Sequence, residues 1–134
     1  MRTVFAAAAI LLASGAQAQL IKCDQASTQT DMNLCADQAY RKSDADLNAA
    51  YKEAMTRLKD RKDAATQLEA AQKAWLFFRD AECTFSSGGV TGGSAYPMVL
   101  SMCLDELTQA RTKQLHAYLK CEEGDMSCPV PGKP

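Results

Sequence analysis

The chain has 134 residues, with 15 basic and 16 acidic side chains, six cysteines and one histidine. That length provides one small domain, and a net charge of −1 is not the basic footprint of a nucleic-acid-binding protein. The lone histidine, His116, would have to serve any histidine-dependent catalytic set by itself.

The opening MRTVFAAAAILLASGAQA carries one positive charge at Arg2, an apolar run from Val4 to Ala13, and small residues at Ala16 and Ala18. This is the pattern of a secretory signal peptide, with cleavage expected after Ala18. The apolar run is too short to span a membrane. Removing residues 1–18 takes away only Arg2 among the charges, leaving 116 residues with 14 basic against 16 acidic. Mild acidity weakly favours a cationic partner and identifies none. The expected organisation is a signal peptide at 1–18, one helical domain at 19–120, and a disulfide-closed, partly disordered tail at 121–134.

Residues 19–30 read as an irregular lead-in held by Cys23. Thr28 followed three places later by Asp31 predicts a capping box, and helical spacing of apolar residues continues from Asp31 to about Asp60. Neither proline nor glycine occurs between 31 and 87, so the charged run KDRKD at 59–63 is the expected turn. A second helix is predicted from about Ala64 to Phe85. SSGGVTGGSAYP at 86–97 is a loop by composition, and a third helix runs from Pro97, tolerated in a first turn, to about Lys120. The predicted fold is all-α: an antiparallel helical hairpin plus a third packed helix, stabilised by disulfides.

The second helix poses a physical problem. Leu68, Ala71, Trp75 and Phe78 predict its buried stripe, yet Gln72, Arg79 and Cys83 share that side with Trp75. The first helix matches it with Tyr40, Asp44, Asn48 and Tyr51. If the two helices fold back between Arg61 and Lys62, facing levels have residue numbers summing to about 123. Asp44 then meets Arg79, Asn48 meets the Trp75 indole, and Gln72 meets the Tyr51 hydroxyl. A buried arginine needs such a partner, because an unpaired buried charge costs several kcal/mol. Arg111, on the apolar side of the third helix, poses the same problem, with Asp80 and Glu82 as candidate partners. A network of this kind fixes helix register more often than it performs chemistry.

All six cysteines lie beyond the signal peptide, and an even count in a small exported domain reads as disulfides. Cys83–Cys103 would close the glycine loop, Cys23–Cys35 would tie the lead-in to helix one, and Cys121–Cys128 would close a terminal loop. The hairpin register also permits Cys35–Cys83 with Cys23–Cys103. There is no C-x-x-C, H-E-x-x-H, E-x-x-H or nucleotide-binding glycine motif. The expectation is therefore no enzymatic activity, no cofactor and no metal.

The 86–97 loop is the candidate contact surface, with Gly92, Gly93, Ser94 and Tyr96 as its leading residues. It is long for a helix connection, and long loops are often functional. The plain alternative is a connector in which Ser94 caps helix three.

Five pieces in order carry a family likeness. They are C-x11-C (Cys23 to Cys35), D-x2-L-N-x2-Y (Asp44 to Tyr51), A-Q-x-A-W-x3-R-D-x2-C (Ala71 to Cys83), G-G-S (Gly92 to Ser94) and C-x4-T-x2-R-x3-L (Cys103 to Leu115). Across residues 23–119 the chain resembles the LprI-type lysozyme inhibitor family of small exported bacterial helical proteins. It departs from that pattern in its Cys121/Cys128 tail and has no lipobox ahead of Cys23. The resemblance implies a protein partner, lysozyme, bound without catalysis in the periplasm or outside the cell. The competing class is a periplasmic structural or interaction module with no effect on lysozyme.

Overall fold

The computed structural model describes residues 22–122 and 124–132; the expected signal peptide lies outside them. Three long helices make up the described part: α1 (Gln29–Arg57), α2 (Lys62–Ser86) and α3 (Tyr96–Leu119). Single 3-10 turns precede α1 at Cys23–Gln25 and follow α2 at Gly88–Val90. Among the described residues no helix is long and apolar enough to cross a membrane.

The helix limits have local causes. Thr28 caps α1: its hydroxyl accepts from the Asp31 N–H at 3.1 Å, while Asp31 accepts from the Thr28 N–H at 3.4 Å. This capping box satisfies donors that the first turn leaves open. The hairpin turn is tight, with the Arg61 N–H donating to the Leu58 carbonyl at 2.8 Å. At the start of α3, the N-cap position belongs to Ala95 and makes no side-chain cap. Ser94 therefore does not cap that helix; Pro97, which needs no N–H partner in a first turn, sits just inside it instead.

The hairpin and the third helix are both present, and the tightest packing lies between α1 and α3. These two run parallel: Asn33 bonds to Ser94 near their starts, and the Arg57 guanidinium donates to the Leu119 carbonyl at their ends. The buried face of α1 is Ser43, Leu47, Ala50 and Ala54, spaced four, three and four. Three of those four side chains are small, so the helix backbones approach closely.

Along the bundle the interior changes character. At the end nearer the hairpin turn it is aliphatic: Leu47, Ala50 and Leu115 form one cluster, and Ala54, Leu58 and Val130 a second. Val130 comes from the C-terminal segment and is almost fully buried, so that segment contributes to the core. Polar side chains fill the middle. Sulfur and a hydroxyl finish the loop end, where Cys83 and Ser87 are fully buried. Disulfides join Cys23 to Cys35, Cys83 to Cys103 and Cys121 to Cys128, with Cα separations of 5.6, 5.5 and 5.5 Å.

One face of α2 differs from the sequence expectation. Gln72, Arg79 and Cys83 are buried, whereas Ala71 and Phe78, assigned to the inner stripe, are exposed. The reason is azimuth. α3 covers the flank of α2 that carries the polar residues, as the Arg111–Gln72 and Arg79–Thr108 bonds show, and the flank bearing Ala71 and Phe78 turns outward.

Candidate functional site

Two places concentrate the unusual residues, the polar layer in the middle of the bundle and the loop at its end. The polar layer centres on Arg79, which is only 6 % exposed. Its Nε donates to Asp80 Oδ1 at 2.9 Å, and Nη2 approaches the same oxygen at 2.8 Å. Nη1 reaches Asp44 Oδ1 at 3.5 Å and Thr108 Oγ1 at 3.4 Å. The guanidinium carbon also lies 5.2 Å from the Trp75 ring centre and 5.5 Å from that of Tyr40. Arginine suits this position because its planar, weakly hydrated head can stack and donate at once. Burial raises the Tyr40 pKa above its ordinary value, while the Arg79 charge works against that rise.

Asp44 and Arg79 do sit at one level, but three other expectations are corrected. Asn48 is exposed and donates to Asp44 at 3.0 Å along its own helix, not meeting the Trp75 indole. Gln72 accepts from Arg111 Nε at 3.1 Å, so its carboxamide serves the arginine in place of the Tyr51 hydroxyl. Arg111 is held by Gln72 and by Gln114, whose Oε1 lies 2.5 Å from Nη1, in place of Asp80 or Glu82. Tyr51 and Trp75 pack against the Leu47–Ala50–Leu115 cluster. The layer joins all three helices through hydrogen bonds, which makes it a register device. Among the described residues no group of three His, Cys, Asp or Glu side chains is placed to hold a metal ion.

The loop is built differently. Ser87, fully buried, anchors its start by donating from Oγ to the Cys83 carbonyl at 2.6 Å. Successive short turns follow, with N–H donors of Val90, Thr91, Gly93 and Tyr96 each reaching a carbonyl three residues back at 3.0–3.2 Å. Gly92 lies at φ +80°, a conformation that L side chains rarely adopt, and a Cβ there would meet nothing within 4 Å. The requirement for glycine is therefore conformational. At Gly93 a Cβ would lie 3.2 Å from the Val90 carbonyl oxygen.

Two ties hold this segment to the bundle. The Cys83–Cys103 bridge joins the helices on either side, and Asn33 Nδ2 of α1 donates to the Ser94 carbonyl at 2.9 Å. The segment from Gly88 to Ser94 is exposed, while Tyr96, in the first turn of α3, is half-buried. The N–H groups of Gly92 and Ser94 face no acceptor among the described residues. At the loop base Phe85 is 81 % exposed. Asn33 as a clamp and Phe85 as a rim residue were not singled out from sequence. The Asn33 bond spans 61 residues and leaves no periodic signal, whereas Phe85 was legible as an aromatic at a helix end.

A family model described as lysozyme inhibitor LprI matches residues 22–115. An uncharacterised protein of Rhizobium meliloti (strain 1021) is 38% identical over 112 residues, covering 75% of this chain and 81% of that protein. A solved DUF1311-family protein from Pseudomonas putida KT2440 has a TM-score of 0.59 at 24% identity, covering 68% of this chain and 92% of that one. The last likeness bears on the fold alone.

Proposed function

Because the chain belongs to the LprI lysozyme-inhibitor family, we propose that it is an exported, non-catalytic binding protein that inhibits lysozyme by seating its 86–97 loop in the enzyme's active-site cleft. The observation that carries the reading is an exposed loop, folded into successive turns and tied at both ends, within the matched region. Lysozyme works through two carboxyl groups in its cleft. A loop with N–H donors at Gly92 and Ser94 and hydroxyls at Thr91 and Ser94 offers carboxylates hydrogen bonds without bringing a charge of its own. Because the loop is already ordered by its turns, the bridge and Asn33, docking it costs little conformational entropy.

Three bridges suit an oxidising compartment, which favours the periplasm or the exterior once the signal peptide is cleaved near Ala18. The test is a cell-wall lysis assay with purified, oxidised mature protein and several lysozyme types. Replacing Gly92-Gly93-Ser94 with a shorter turn should abolish inhibition while the circular dichroism spectrum and the three bridges persist. An unchanged inhibition constant in that variant rejects the loop. No inhibition of any lysozyme by the parent protein rejects the function and leaves an interaction module.

A further inference from the structure

The outward side of α2 carries a second apolar stripe. Ala71, Ala74, Phe78, Ala81 and Phe85 are spaced three, four, three and four, and Ala70 and Phe77 flank them. All seven are exposed: Phe77 by 78 %, Phe78 by 53 % and Phe85 by 81 %. No ionisable residue falls within this stripe, and the exposed Glu82 borders it one turn from Phe78 and Phe85. The spacing is the a/d heptad of a helix that packs on another helix, with phenylalanine at two successive a positions and alanine at both d positions. The inner face of the same helix is already occupied by α1 and α3, through Gln72, Arg79 and Cys83.

We propose that this face is a self-association surface on which α2 pairs antiparallel with α2 of a second copy. The order of large and small residues selects that occupant. With a two-fold axis between residues 79 and 80, facing residue numbers sum to about 159. Phe78 then meets the second copy's Ala81, and Phe85 meets its Ala74. Each of these layers places one ring over one methyl, so knobs and holes alternate, while Ala71 falls level with residue 88, beyond the end of α2. A parallel pairing instead stacks Phe on Phe and Ala on Ala, leaving layers alternately overfilled and void.

The area fits a concentration-dependent dimer. At about 200 Å2 per phenylalanine, the three exposed rings offer roughly 400 Å2 on each copy. The pair thus removes about 800 Å2 from water before the alanine methyls are counted, approaching the 1,200 Å2 or so at the lower end of specific interfaces. A neutral face also meets a neutral face without desolvating charge. In this register residues 86–97 of each copy lie level with residues 62–73 of the other, and the hairpin turns mark the two ends of the pair.

Sedimentation equilibrium of the oxidised mature protein from about 10 µM to about 1 mM should show the mass rising from monomer to dimer. Phe78→Glu should hold it monomeric throughout with unchanged helicity, because the site is exposed in the single copy. The register has its own test. Ala81→Phe adds apolar surface, yet it should weaken pairing about 10-fold by overpacking Phe78 of the other copy. Phe78→Ala should weaken it by a similar factor by leaving a void, and the double variant should recover the parent dissociation constant. A parent that stays monomeric at the highest concentration overturns the proposal. So does tighter association of Ala81→Phe, or failure of the double variant to recover. Loss of lysozyme inhibition in Phe78→Glu with a monomeric parent would assign the face to the enzyme instead.

Discussion

Arg79 offers a test of which interaction holds the middle of the bundle. If its ion pair with Asp44 dominated, Asp44→Asn would cost nearly as much as removing the arginine. The geometry argues otherwise. The Asp44 contact is long at 3.5 Å, and its side chain is 38 % exposed, so the pair is worth at most about 1 kcal/mol. The two aromatic faces at 5.2 and 5.5 Å lie against a guanidinium shielded from water. Each contributes about 1 kcal/mol there, and the aliphatic stem adds packing that alanine would lose. Arg79→Ala should therefore destabilise the protein by about 3 kcal/mol, Arg79→Met, which keeps the stem but loses both ring contacts of the charge, by about 2 kcal/mol, and Asp44→Asn by no more than about 0.5 kcal/mol. Urea unfolding followed by circular dichroism at neutral pH, with all bridges intact, measures these values. Equal losses for Asp44→Asn and Arg79→Ala would refute the aromatic account and restore the ion pair as the dominant contact.

Gly92→Ala should cost about 1–2 kcal/mol, since at φ +80° the penalty is one of left-handed backbone alone. Gly88→Ala, with neither positive φ nor a crowded Cβ, should be close to neutral in the same unfolding measurement. Tyr40 gives a pH signature. Its folded pKa is raised above 10.0, chiefly by burial, so the folded state holds the phenolic proton more tightly than the unfolded chain. That contribution is fully present below about pH 10 and is lost as the pH rises from there through the folded pKa. Stability should fall across that window, and Tyr40→Phe should flatten the fall; an identical slope in the variant would assign the effect to another group.

Levels along the bundle were legible in the sequence, while azimuths were not. The absence of proline and glycine from 31 to 87, the Thr28/Asp31 box and the charged run before Ala64 located the helices and the turn. Folding back at that turn brought Asp44 to Arg79, because one hinge fixes translation along both helices. It leaves rotation open, and rotation is set by the third helix. The parallel approach of α3 to α1 relies on Ser43, Ala50 and Ala54, side chains too small to announce a stripe. Once α3 lies against Gln72, that carboxamide goes to Arg111, and Tyr51 turns to the aliphatic cluster. Phe78 was misplaced for a related reason: α2 has two apolar sides, and periodicity alone does not say which is inward. The loop was legible as a loop, but its ties to the bundle were not, since they depend on the buried Ser87 hydroxyl and the distant Asn33 amide.

The distribution of apolar mass gives these details one consequence. Among the described residues the buried hydrophobic ones are three leucines, two alanines, Cys83 and Val130, while three phenylalanines remain outside. A domain of this size with so small an aliphatic core is marginal by itself. Cross-links restrict the unfolded chain, and Cys83–Cys103, across 20 positions, accounts for about 3 kcal/mol on the chain-entropy model. The same bridge sets the base of the loop, so reduction removes stability and loop order together. Burial of the exposed rings belongs instead to the proposed paired form, in which Phe78 and Phe85 each meet an alanine that the single copy leaves uncovered. Oxidation thus stabilises the single copy, and the proposed association adds burial on a face that the fold does not use.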